Sequence, residues 1–437
     1  MTLASAKSTS PFTSRKKPLA KWVTFLSGSL AFMSLPAIAG PEGGQVVGGA
    51  GSITQGGNTT VIHQDTHRMA IDWQSFDVAS DERVQFIQPD NSAISLNRIL
   101  SNAGSRIHGR IDANGHVILV NPNGVMFGEN SVVNAGGILA SGLNIDPNDF
   151  MNGDLVFDAM DDTSGVVINS GILNAAAGGS VTLLGQKVEN EGLISAQFGR
   201  VNLAAGRQAV LTFDDAGLLG VSVTEAVLQE VIGEEAAVVN SGYIVAENGQ
   251  ILLSASVSQD IFSQAVNTGG LSDATSVVVH EDGSFTLGGG ADVVNTGSLD
   301  VSGEQGAGDL VLLGDNISSS GTIRANTQSG QAGHIELHST DTTLLTENSL
   351  TQALGTNAVG GDIKVLGDKV GLYGAAQVDA SGDNGGGQVL VGGDRTGDNI
   401  QIRNADFIYL GEGTQIHADA LSDGDGGRVI TFAENTA

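Results

Sequence analysis

Residues 107–143 read IHGRIDANGHVILVNPNGVMFGENSVVNAGGILASGL and alternate short apolar runs with turn signals. The sharpest turn signal is the tetrapeptide formed by Asn121, Pro122, Asn123 and Gly124. Proline presets φ at the second position of a β-turn, asparagine tolerates the third position, and glycine suits the exit. The first asparagine can cap the turn with its own side chain. The apolar runs are rich in β-formers and too short for helices, so the stretch predicts a wound coil of short strands.

Composition narrows the class of protein. The chain has 437 residues with 63 glycines, 7 prolines and only 4% aromatic residues, so we expect thin interior layers of valine, isoleucine, leucine and alanine. A net charge of −29 argues against binding to nucleic acid or to an anionic membrane, because both need basic patches. The chain contains no cysteine, which excludes disulfides and thiolate metal sites.

The first 39 residues have the pattern of a secretory signal peptide. A basic segment precedes the apolar residues 22–35, and the small residues Ala37 and Ala39 follow. This pattern predicts export through the Sec machinery with cleavage between Ala39 and Gly40. The apolar segment is too short for a transmembrane helix. Cleavage would remove five of the 19 basic residues and none of the 48 acidic ones, so the exported chain is more acidic than its precursor.

An internal repeat begins after residue 132 and decides the architecture. Its first half is Asn-x-Gly followed by an apolar strand, and its second half is Gly-x-apolar-x-apolar. Copies of the first half begin at Asn134, Asn169, Asn190, Asn240, Asn267 and Asn295, with a degenerate copy at Ser319. Copies of the second half begin at Gly179, Gly199, Gly249, Gly308, Gly333, Gly361, Gly387 and Gly427. Several successive copies lie 20 to 28 residues apart.

One repeat unit is two or three short strands with a glycine or asparagine corner between each pair. A unit of this size cannot bury its apolar face alone, so we predict that units stack into an all-β solenoid, a parallel β-helix. Asparagines that recur at one corner can form a hydrogen-bonded ladder, and we expect the glycine beside each one to adopt a positive φ. An all-β sandwich is the alternative, but it would require longer strands and hairpin turns without a repeated corner.

Three stretches do not follow the repeat. Residues 210–223 predict a β-hairpin that leaves the coil and turns at residues 214–217. Residues 224–232 are compatible with a short helix capped by Thr224. Residues 94–100 could form a strand or one helical turn, because their periodicity does not distinguish the two.

The N-terminal part carries five motifs in order. They are IDWQSF at 71–76, NRI at 97–99, GRIDANG at 109–115, NPNGVMFG at 121–128 and VNAGGILAS at 133–141. Together they resemble the haemagglutination-activity, or two-partner secretion, domain at the N-terminus of filamentous haemagglutinins and high-molecular-weight adhesins. The resemblance covers residues 40–290. It implies a right-handed β-helix with an N-terminal cap, which a dedicated outer-membrane barrel transporter with periplasmic POTRA domains recognises.

The resemblance also assigns the secretion motif to Asn121, Pro122, Asn123 and Gly124. Val125 departs from the family pattern, in which isoleucine is usual at this position. The chain also lacks an Asn-Pro-Asn-Leu tetrad that one branch of the family carries. The departures place this chain nearer to the adhesin and haem-hemopexin-binding branch and leave its cargo function open.

Groups that could perform chemistry are few. His334, Glu336 and His338 share one face of a predicted strand and are metal-binding residue types. The alternative is a solvated outer face, because Ile335 and Leu337 must point inward. Glycine- and aspartate-rich turns at 383–387 and 423–427 do not match the spacing of calcium-binding motifs. We therefore predict no catalytic residue, no cofactor and no metal site.

The sequence thus predicts a non-enzymatic exoprotein in three parts. A signal peptide over 1–39 precedes a secretion domain over 40–290 and a repeat shaft over 291–437, whose short length suggests truncation. We expect a POTRA-barrel transporter as partner, secretion to the surface of a Gram-negative bacterium through the periplasm, and adhesion to a host-cell or surface glycan receptor. Two alternatives remain: a β-helical polysaccharide-degrading enzyme and a haem- or hemopexin-binding exoprotein. The enzyme would need a cleft of convergent charged groups, which the few scattered basic residues do not suggest.

Overall fold

The structure is a computed structural model that describes residues 40–213, 219–225, 236–255, 278–279, 285–286, 292–399 and 401–436. The predicted signal peptide lies outside these residues. Within them the chain winds in coils of three short strands, and equivalent strands of successive coils pair into three ladders. No described helix is both long and apolar enough to cross a bilayer.

Ladder 1 contains the strands that lead into the Asn-x-Gly corners and their equivalents. They are β7 (Ser105–Ile107), β10 (Val125–Phe127), β14 (Val166–Asn169), β17 (Lys187–Asn190), β22 (Val238–Asn240), β27 (Val293–Asn295), the second parts of β29 (Asp309–Ser319) and β31 (His334–Leu345), β34 (Lys369–Leu372), β37 (Ala405–Leu410) and β40 (Ala433–Thr436).

Ladder 2 contains the strands that follow this corner. They are β2 (Gly51–Gly56), β3 (Thr59–Gln64), β5 (Arg83–Ile87), β8 (Arg110–Ala113), β11 (Val132–Ala135), β15 (Ile172–Ala175), β18 (Leu193–Ser195), β23 (Tyr243–Val245), β28 (Ser298–Asp300), β30 (Thr322–Arg324), β32 (Leu350–Gln352), β35 (Gln377–Asp379) and β38 (Gln415–His417).

Ladder 3 contains the Gly-x-apolar-x-apolar strands and their equivalents. They are β1 (Gln45–Gly48), β4 (Arg68–Trp73), β6 (Ile94–Ile99), β9 (His116–Val120), β12 (Gly137–Ser141), β16 (Ser180–Gly185), β19 (Arg200–Ala205), β24 (Gln250–Ala255), the first parts of β29 and β31, β33 (Asp362–Leu366), β36 (Gln388–Val391) and β39 (Arg428–Thr431). Residues 94–100, ambiguous in the sequence, therefore contain a strand.

All ladder pairings are parallel except at the N-terminal end, where β1 runs antiparallel to β4 and β2 antiparallel to β3. These antiparallel strands cover the end of the first coil. The first coils together with these strands, over residues 40–143, are called the cap below. The prediction of a capped parallel β-helix is therefore confirmed. Strands on either side of residue 291 pair in the same ladders, as β22 does with β27. The division into a secretion domain over 40–290 and a shaft over 291–437 stays a prediction.

The interior of the coils is aliphatic along most of its length, as the composition indicates, but its N-terminal end is aromatic. The large buried rings in the described chain all lie between residues 73 and 157: Trp73, Phe76, Phe86, Phe127, Phe150 and Phe157. Trp73 and Phe76 meet edge to face with ring centroids 5.4 Å apart. Trp73, Phe76, Phe86 and Phe127 fill the coil interior, whereas Phe150 and Phe157 belong to the apolar cluster on the outside of the coil.

An excursion covers the outer face of ladder 3 in the first coils. It consists of α1 (Pro147–Asn152), β13 (Val156–Asp158), β20 (Gln208–Phe213) and β21 (Leu219–Glu225). Strand β20 pairs antiparallel with β13 on one side and with β21 on the other. The Asp146 carboxylate caps α1 by accepting from Asn148 N at 2.7 Å. The predicted hairpin over 210–223 is thus confirmed, although its turn at 214–217 lies outside the described residues. The remaining elements are β25 (Val278–Val279), β26 (Phe285–Thr286) and the 3₁₀ turn Arg395–Gly397.

One local expectation is wrong at this excursion, and a second apolar cluster packs there. Thr224, predicted as a helix cap, lies in β21, and residues 226–232 lie outside the described chain. Ile118 in β9 is buried but faces outward, where it packs in the cluster that contains Phe150 of α1. Its neighbour Leu119 points into the coil interior instead. An apolar run such as β9 is fully buried because both of its faces are covered.

Four of the recurrent asparagines form the predicted ladder, and the predicted copy at Asn267 lies outside the described residues. The side-chain amide of Asn169 donates to Asn190 Oδ1 at 2.8 Å, Asn190 donates to Asn240 at 2.8 Å, and Asn240 donates to Asn295 at 2.9 Å. Asn295 donates to the hydroxyl of Ser319 at 3.0 Å, which confirms that Ser319 is the degenerate copy. All five side chains are fully buried. Each buried amide therefore finds its partner in the adjacent coil, as buried polar groups require.

Asn134 does not belong to this ladder, contrary to the sequence prediction. It lies in β11 of ladder 2, in register with Asp112 and Asn174. Its amide donates to Asp112 Oδ1 at 3.0 Å and its carbonyl oxygen accepts from Asn174 at 3.3 Å. The position equivalent to Asn169 in this coil is Phe127. The Asn-x-Gly pattern at 134–136 thus marks a different corner of the coil.

The glycine beside each ladder asparagine is required by packing and not by φ, which corrects the prediction of a positive φ. Gly171, Gly192 and Gly242 are absent from the residues with positive φ. A methyl group on Gly192 would overlap the carbonyl oxygen of Gly171, and one on Gly242 would overlap that of Gly192. The corners of successive coils therefore stack so closely that only glycine fits.

Candidate secretion determinant in the cap

The turn at residues 121–124 joins β9 of one coil to β10 of the next. Gly124 N donates to Asn121 O at 2.8 Å, which closes the β-turn, and Asn123 N donates to Asn121 Oδ1 at 3.0 Å, which is the predicted side-chain cap. Gly124 has φ +105°, a conformation that favours glycine at the exit. The local geometry read from the tetrapeptide is therefore confirmed.

The turn also binds the preceding coil through both asparagine side chains. The Asn121 amide donates to Ala103 O and to the hydroxyl of Ser105, both at 3.0 Å. The Asn123 amide donates to Ser101 O at 3.0 Å. These contacts bind the turn to residues 101–105 of the preceding coil.

The following coil closes over the turn from the other side. Asn121 N donates to Ser141 O at 2.9 Å, the Ser164 hydroxyl donates to Asn123 O at 2.9 Å, and Gly165 N donates to Pro122 O at 2.9 Å. Asn121 is fully buried. The tetrapeptide is thus an interior joint between three successive coils, and in the folded chain it presents little surface to a partner.

Two of the other motifs meet in the cap. β4 and β6 place Asp72 opposite Arg98, and Arg98 Nε and Nη2 donate to the two Asp72 oxygens at 2.8 and 2.9 Å. Trp73 Nε1 donates to Asn97 Oδ1 at 3.1 Å. Arg98 Nη1 also donates to Ile145 O at 3.0 Å, which ties the excursion to the cap. The sequence identifies both motifs, but it does not show that each residue of the NRI motif pairs with a residue of the IDWQSF motif.

The GRIDANG motif makes equivalent contacts on ladder 2. Asp112 forms ion pairs with Arg83 at 2.7 Å and Arg110 at 2.6 Å. Burial by itself would raise the pKa of Asp112, but hydrogen bonds from Arg110, Asn134 and Arg83 lower it. The Asn114 side chain exchanges two hydrogen bonds with the backbone of Gln88, at 2.8 and 2.9 Å. The motif therefore fastens a strand and a corner to neighbouring coils.

The cluster around Glu336 is the densest group of titratable side chains in the later coils. The Glu336 carboxylate lies 3.3 Å from His334 Nε2, 3.2 Å from His338 Nδ1 and 3.2 Å from Lys364 Nζ. On its other side, His334 Nδ1 lies 3.1 Å from Asp362 Oδ2. The predicted outward direction is correct, but the face is only partly solvated, because the side chain of His338 is 2% exposed, that of Glu336 15% and that of His334 26%. Burial would lower the pKa of His334, yet hydrogen bonds to Asp362 and Glu336 raise it to about 9.

The Glu336 cluster forms an ion-pair network. Burial opposes the charge of Glu336, but Lys364 and the two histidines hold the pKa of its carboxyl well below the usual value. Among the described residues no group of three or more histidine, aspartate or glutamate side chains is arranged to hold a metal ion. In the turns at 383–387 and 423–427, Asp383 accepts from Asn357 N of the preceding coil at 2.9 Å and Asp423 accepts from Gly424 N at 2.9 Å.

The first coils of this capped parallel β-solenoid are thus joined by a buried turn and by ion pairs. Residues 37–301 match the family described as the TPS, or two-partner secretion, secretion domain, and the chain belongs to this family. The recognition made from the five motifs is therefore confirmed. Members of the family are exported with a partner transporter in the outer membrane.

Individual proteins give the same picture. A heme/hemopexin-binding protein of Haemophilus influenzae strain Rd is 33% identical over 203 residues, which cover 45% of this chain and 22% of that protein. The crystal structure of the HMW1 secretion domain from Haemophilus influenzae has the same fold, with a TM-score of 0.71 and 24% identity over 91% of this chain and 99% of that one. The filamentous hemagglutinin secretion domain has a TM-score of 0.40 and 14% identity over 74% of this chain and 99% of that one. The match to the curated relative thus spans less than a quarter of its length.

Proposed function

We propose that the N-terminal region addresses the exported chain to the POTRA domains of an outer-membrane barrel transporter and then starts folding of the β-helix at the cell surface. The carrying observation is the position of the 121–124 turn, whose two asparagine side chains bind one neighbouring coil while its backbone binds the other. Asn121 is fully buried, so a transporter can reach its side chain only before the chain folds. The same residues then close the first corner once the chain emerges.

This order of events fits the energetics of a solenoid. Each coil depends on its neighbour for the burial of its apolar face, so the first coils must form without a template. The cap contains the aromatic core and the antiparallel strands that cover the end of the first coil. Delivery by the Sec machinery as an unfolded chain and threading through the barrel would leave this region to fold first outside.

The test combines binding with secretion. Immobilised POTRA domains of the partner transporter are titrated with the mature chain freshly diluted from urea, and the variant Asn121→Ala/Asn123→Ala is compared with the wild type. We expect the unfolded wild-type chain to bind, the folded chain to bind weakly, and the double variant to be lost from the medium of cells that express the transporter.

A buried asparagine outside the cap supplies the matched control. Asn240→Ala removes a fully buried amide of similar hydrogen bonding from the ladder. If the double variant reaches the medium at the wild-type level, or if Asn240→Ala blocks secretion to the same degree, the turn is not a secretion determinant.

The downstream role that we propose is adhesion to a host-cell or surface glycan receptor, with residues 40–290 as the secretion domain and 291–437 as part of the shaft. The support is the resemblance to adhesin secretion domains. The proteins that the chain matches are secretion domains and exoproteins, and we propose that this chain likewise has no enzymatic activity. Beads coated with the mature chain should bind host cells more than beads coated with the isolated region 40–301. Equal background binding would contradict the adhesin role.

Haem or hemopexin binding is the second candidate, and the name of the 33% identical relative supports it. The match covers only 22% of that protein, so its named activity is a proposal for this chain. A titration of the mature chain with haemin, followed by its Soret absorption, separates this role from adhesion. A saturable spectral change at one equivalent would favour haem binding over the adhesin role.

A further inference from the structure

The first residues of the predicted mature chain are held firmly in the cap. Gly40 and Pro41 are buried, and the Gln55 side-chain amide donates to Pro41 O. Glu42 N donates to Ser75 O at 2.8 Å, and Gln74 N donates to Glu42 O at 2.9 Å. The segment that follows the predicted cleavage site is therefore part of the folded end of the solenoid.

Side-chain oxygens surround the first of these residues. A methyl group placed on Gly40 would lie 3.5 Å from Glu82 Oε1 and 3.9 Å from Thr60 Oγ1. Glu82 uses its other oxygen, Oε2, to accept from Ala79 N at 2.7 Å. Thr60 is only 5% exposed. A carboxylate oxygen and a hydroxyl, which also accepts from the Gln55 side-chain amide at 3.4 Å, thus lie beside Gly40, the residue where cleavage is predicted.

We propose that Glu82 and Thr60 form a binding site for the α-ammonium group of the processed chain. Hydrolysis of the Ala39–Gly40 peptide bond transfers the hydroxyl of water to the Ala39 carbonyl and leaves an amine on Gly40. In the precursor this nitrogen is an uncharged amide with a single N–H. In the product it is a protonated amine at neutral pH, since its ordinary pKa is about 7.7–8.0, and it has three N–H donors.

The site makes closure of the cap depend on processing. Glu82 is joined to the next coil because Arg110 N donates to Glu82 O at 2.9 Å. An ion pair from the new amino terminus to Glu82 therefore connects the first residue of the chain to ladder 2. The precursor lacks this contact, so its cap is weaker than that of the processed chain. The inference rests on cleavage after Ala39 and not on recognition by the transporter.

The alternative role for Glu82 is only to close the turn at residues 79–82 through Ala79 N. A double-mutant cycle separates the two roles. One form of the protein begins at Gly40, released by a site-specific protease that leaves glycine first, and the other begins at Ala37. Three extra residues move the amino group by about 10 Å, beyond contact with Glu82. Each form is prepared with and without Glu82→Gln.

Hydrogen exchange of the Glu42 and Gln74 amides, followed by mass spectrometry, is the readout. We expect Glu82→Gln to accelerate exchange in the Gly40 form by about two- to five-fold more than in the Ala37 form, the range of a partly exposed ion pair. The amine of the Gly40 form should also have a higher pKa than that of its Glu82→Gln variant, measured by NMR after isotopic methylation.

Equal effects of Glu82→Gln in the two forms would overturn the inference, because they would show that the carboxylate only closes its own turn. A mass of the secreted chain that places its amino terminus elsewhere would also overturn it. Neither measurement uses the transporter, so failure here leaves the proposed secretion role standing, and loss of that role leaves this site standing.

Discussion

A charged residue in the interior should block secretion when it lies in the cap and should only fray the product when it lies near the C-terminal end. The matched changes are Leu119→Asp in β9 and Val389→Asp in β36. Both side chains point into the coil interior, with exposed fractions of 2% and 0%. Both strands belong to ladder 3 and pair with a neighbour on each side. The two changes are therefore equivalent in everything except position.

The local cost is similar at the two sites. Loss of a buried leucine or valine removes about 1.5–3 kcal/mol of apolar burial. An aspartate without a partner in this interior must be protonated, which costs about 4 kcal/mol at pH 7 from an ordinary pKa of about 3.9. The sum of about 6–7 kcal/mol is comparable with the stability of a whole ordinary domain, so the coil that carries the change unfolds.

Position then determines the outcome because coil stability depends on nearest neighbours. Unfolding near residue 389 leaves the preceding coils intact, so we expect export of a product with a frayed distal end. Unfolding near residue 119 removes the template for every later coil, so the chain should remain in the periplasm and be degraded. Immunoblots of medium and periplasm measure both outcomes, and Ile172→Asp on the exposed face of β15 is the control. Equal secretion defects for the two interior variants would refute templated folding.

Three further results are expected from the mature chain. Asn190→Ala removes the ladder acceptor of the buried Asn169 amide and the ladder donor to Asn240 Oδ1, and it should lower the free energy of unfolding by about 2–4 kcal/mol in urea titrations. Gly192→Ala should cost at least as much because its methyl overlaps the previous coil. Because the folded state raises the pKa of His334, its protonation stabilises the folded chain fully below pH 6.5, and this stabilisation is lost as the pH rises through about 9. The urea midpoint of the wild-type chain should therefore fall over this pH range, whereas that of His334→Asn should stay level. Because Asp383 and Asp423 accept hydrogen bonds from backbone amides, chelator should leave the melting temperature unchanged in calorimetry, and a loss restored by calcium would contradict this.

The sequence specifies the coil better than it specifies what covers the coil. Alternation of side chains predicts that Val201 and Leu203 point inward, and both are fully buried. It cannot show that Ile118 points outward into a second core, because that core is completed by residues of α1 and β13 that are distant in sequence. The same limit explains the face around Glu336, whose outward direction is predictable although its burial is not.

Contacts between coils are equally hard to read from one sequence. The pairing of Asp72 with Arg98 depends on the number of residues between β4 and β6, which sets the register. Asn134 has the same local pattern as Asn190, yet it lies in ladder 2, in a strand that follows the first corner of its coil, whereas Asn190 ends a strand of ladder 1. The residues of a motif thus predict that a corner is present, whereas the length of the coil determines which of its corners the motif forms.

The asparagine ladder indicates where along the chain register must be specified. Its position is occupied by Phe127 in the cap, by four asparagines and Ser319 in the following coils, and then by Leu345, Leu372 and Leu410. A buried amide is satisfied only when its partner lies at the same level of the adjacent coil, so asparagine rejects a shifted pairing that leucine would tolerate.

Leucine in turn buries more apolar surface and has no polar group to satisfy. The ladder ends close to residue 301, where the match to the secretion domain also ends. Register is therefore enforced by polar pairing in the coils that follow the cap, and later coils use apolar residues at this position because a template of fixed register already exists.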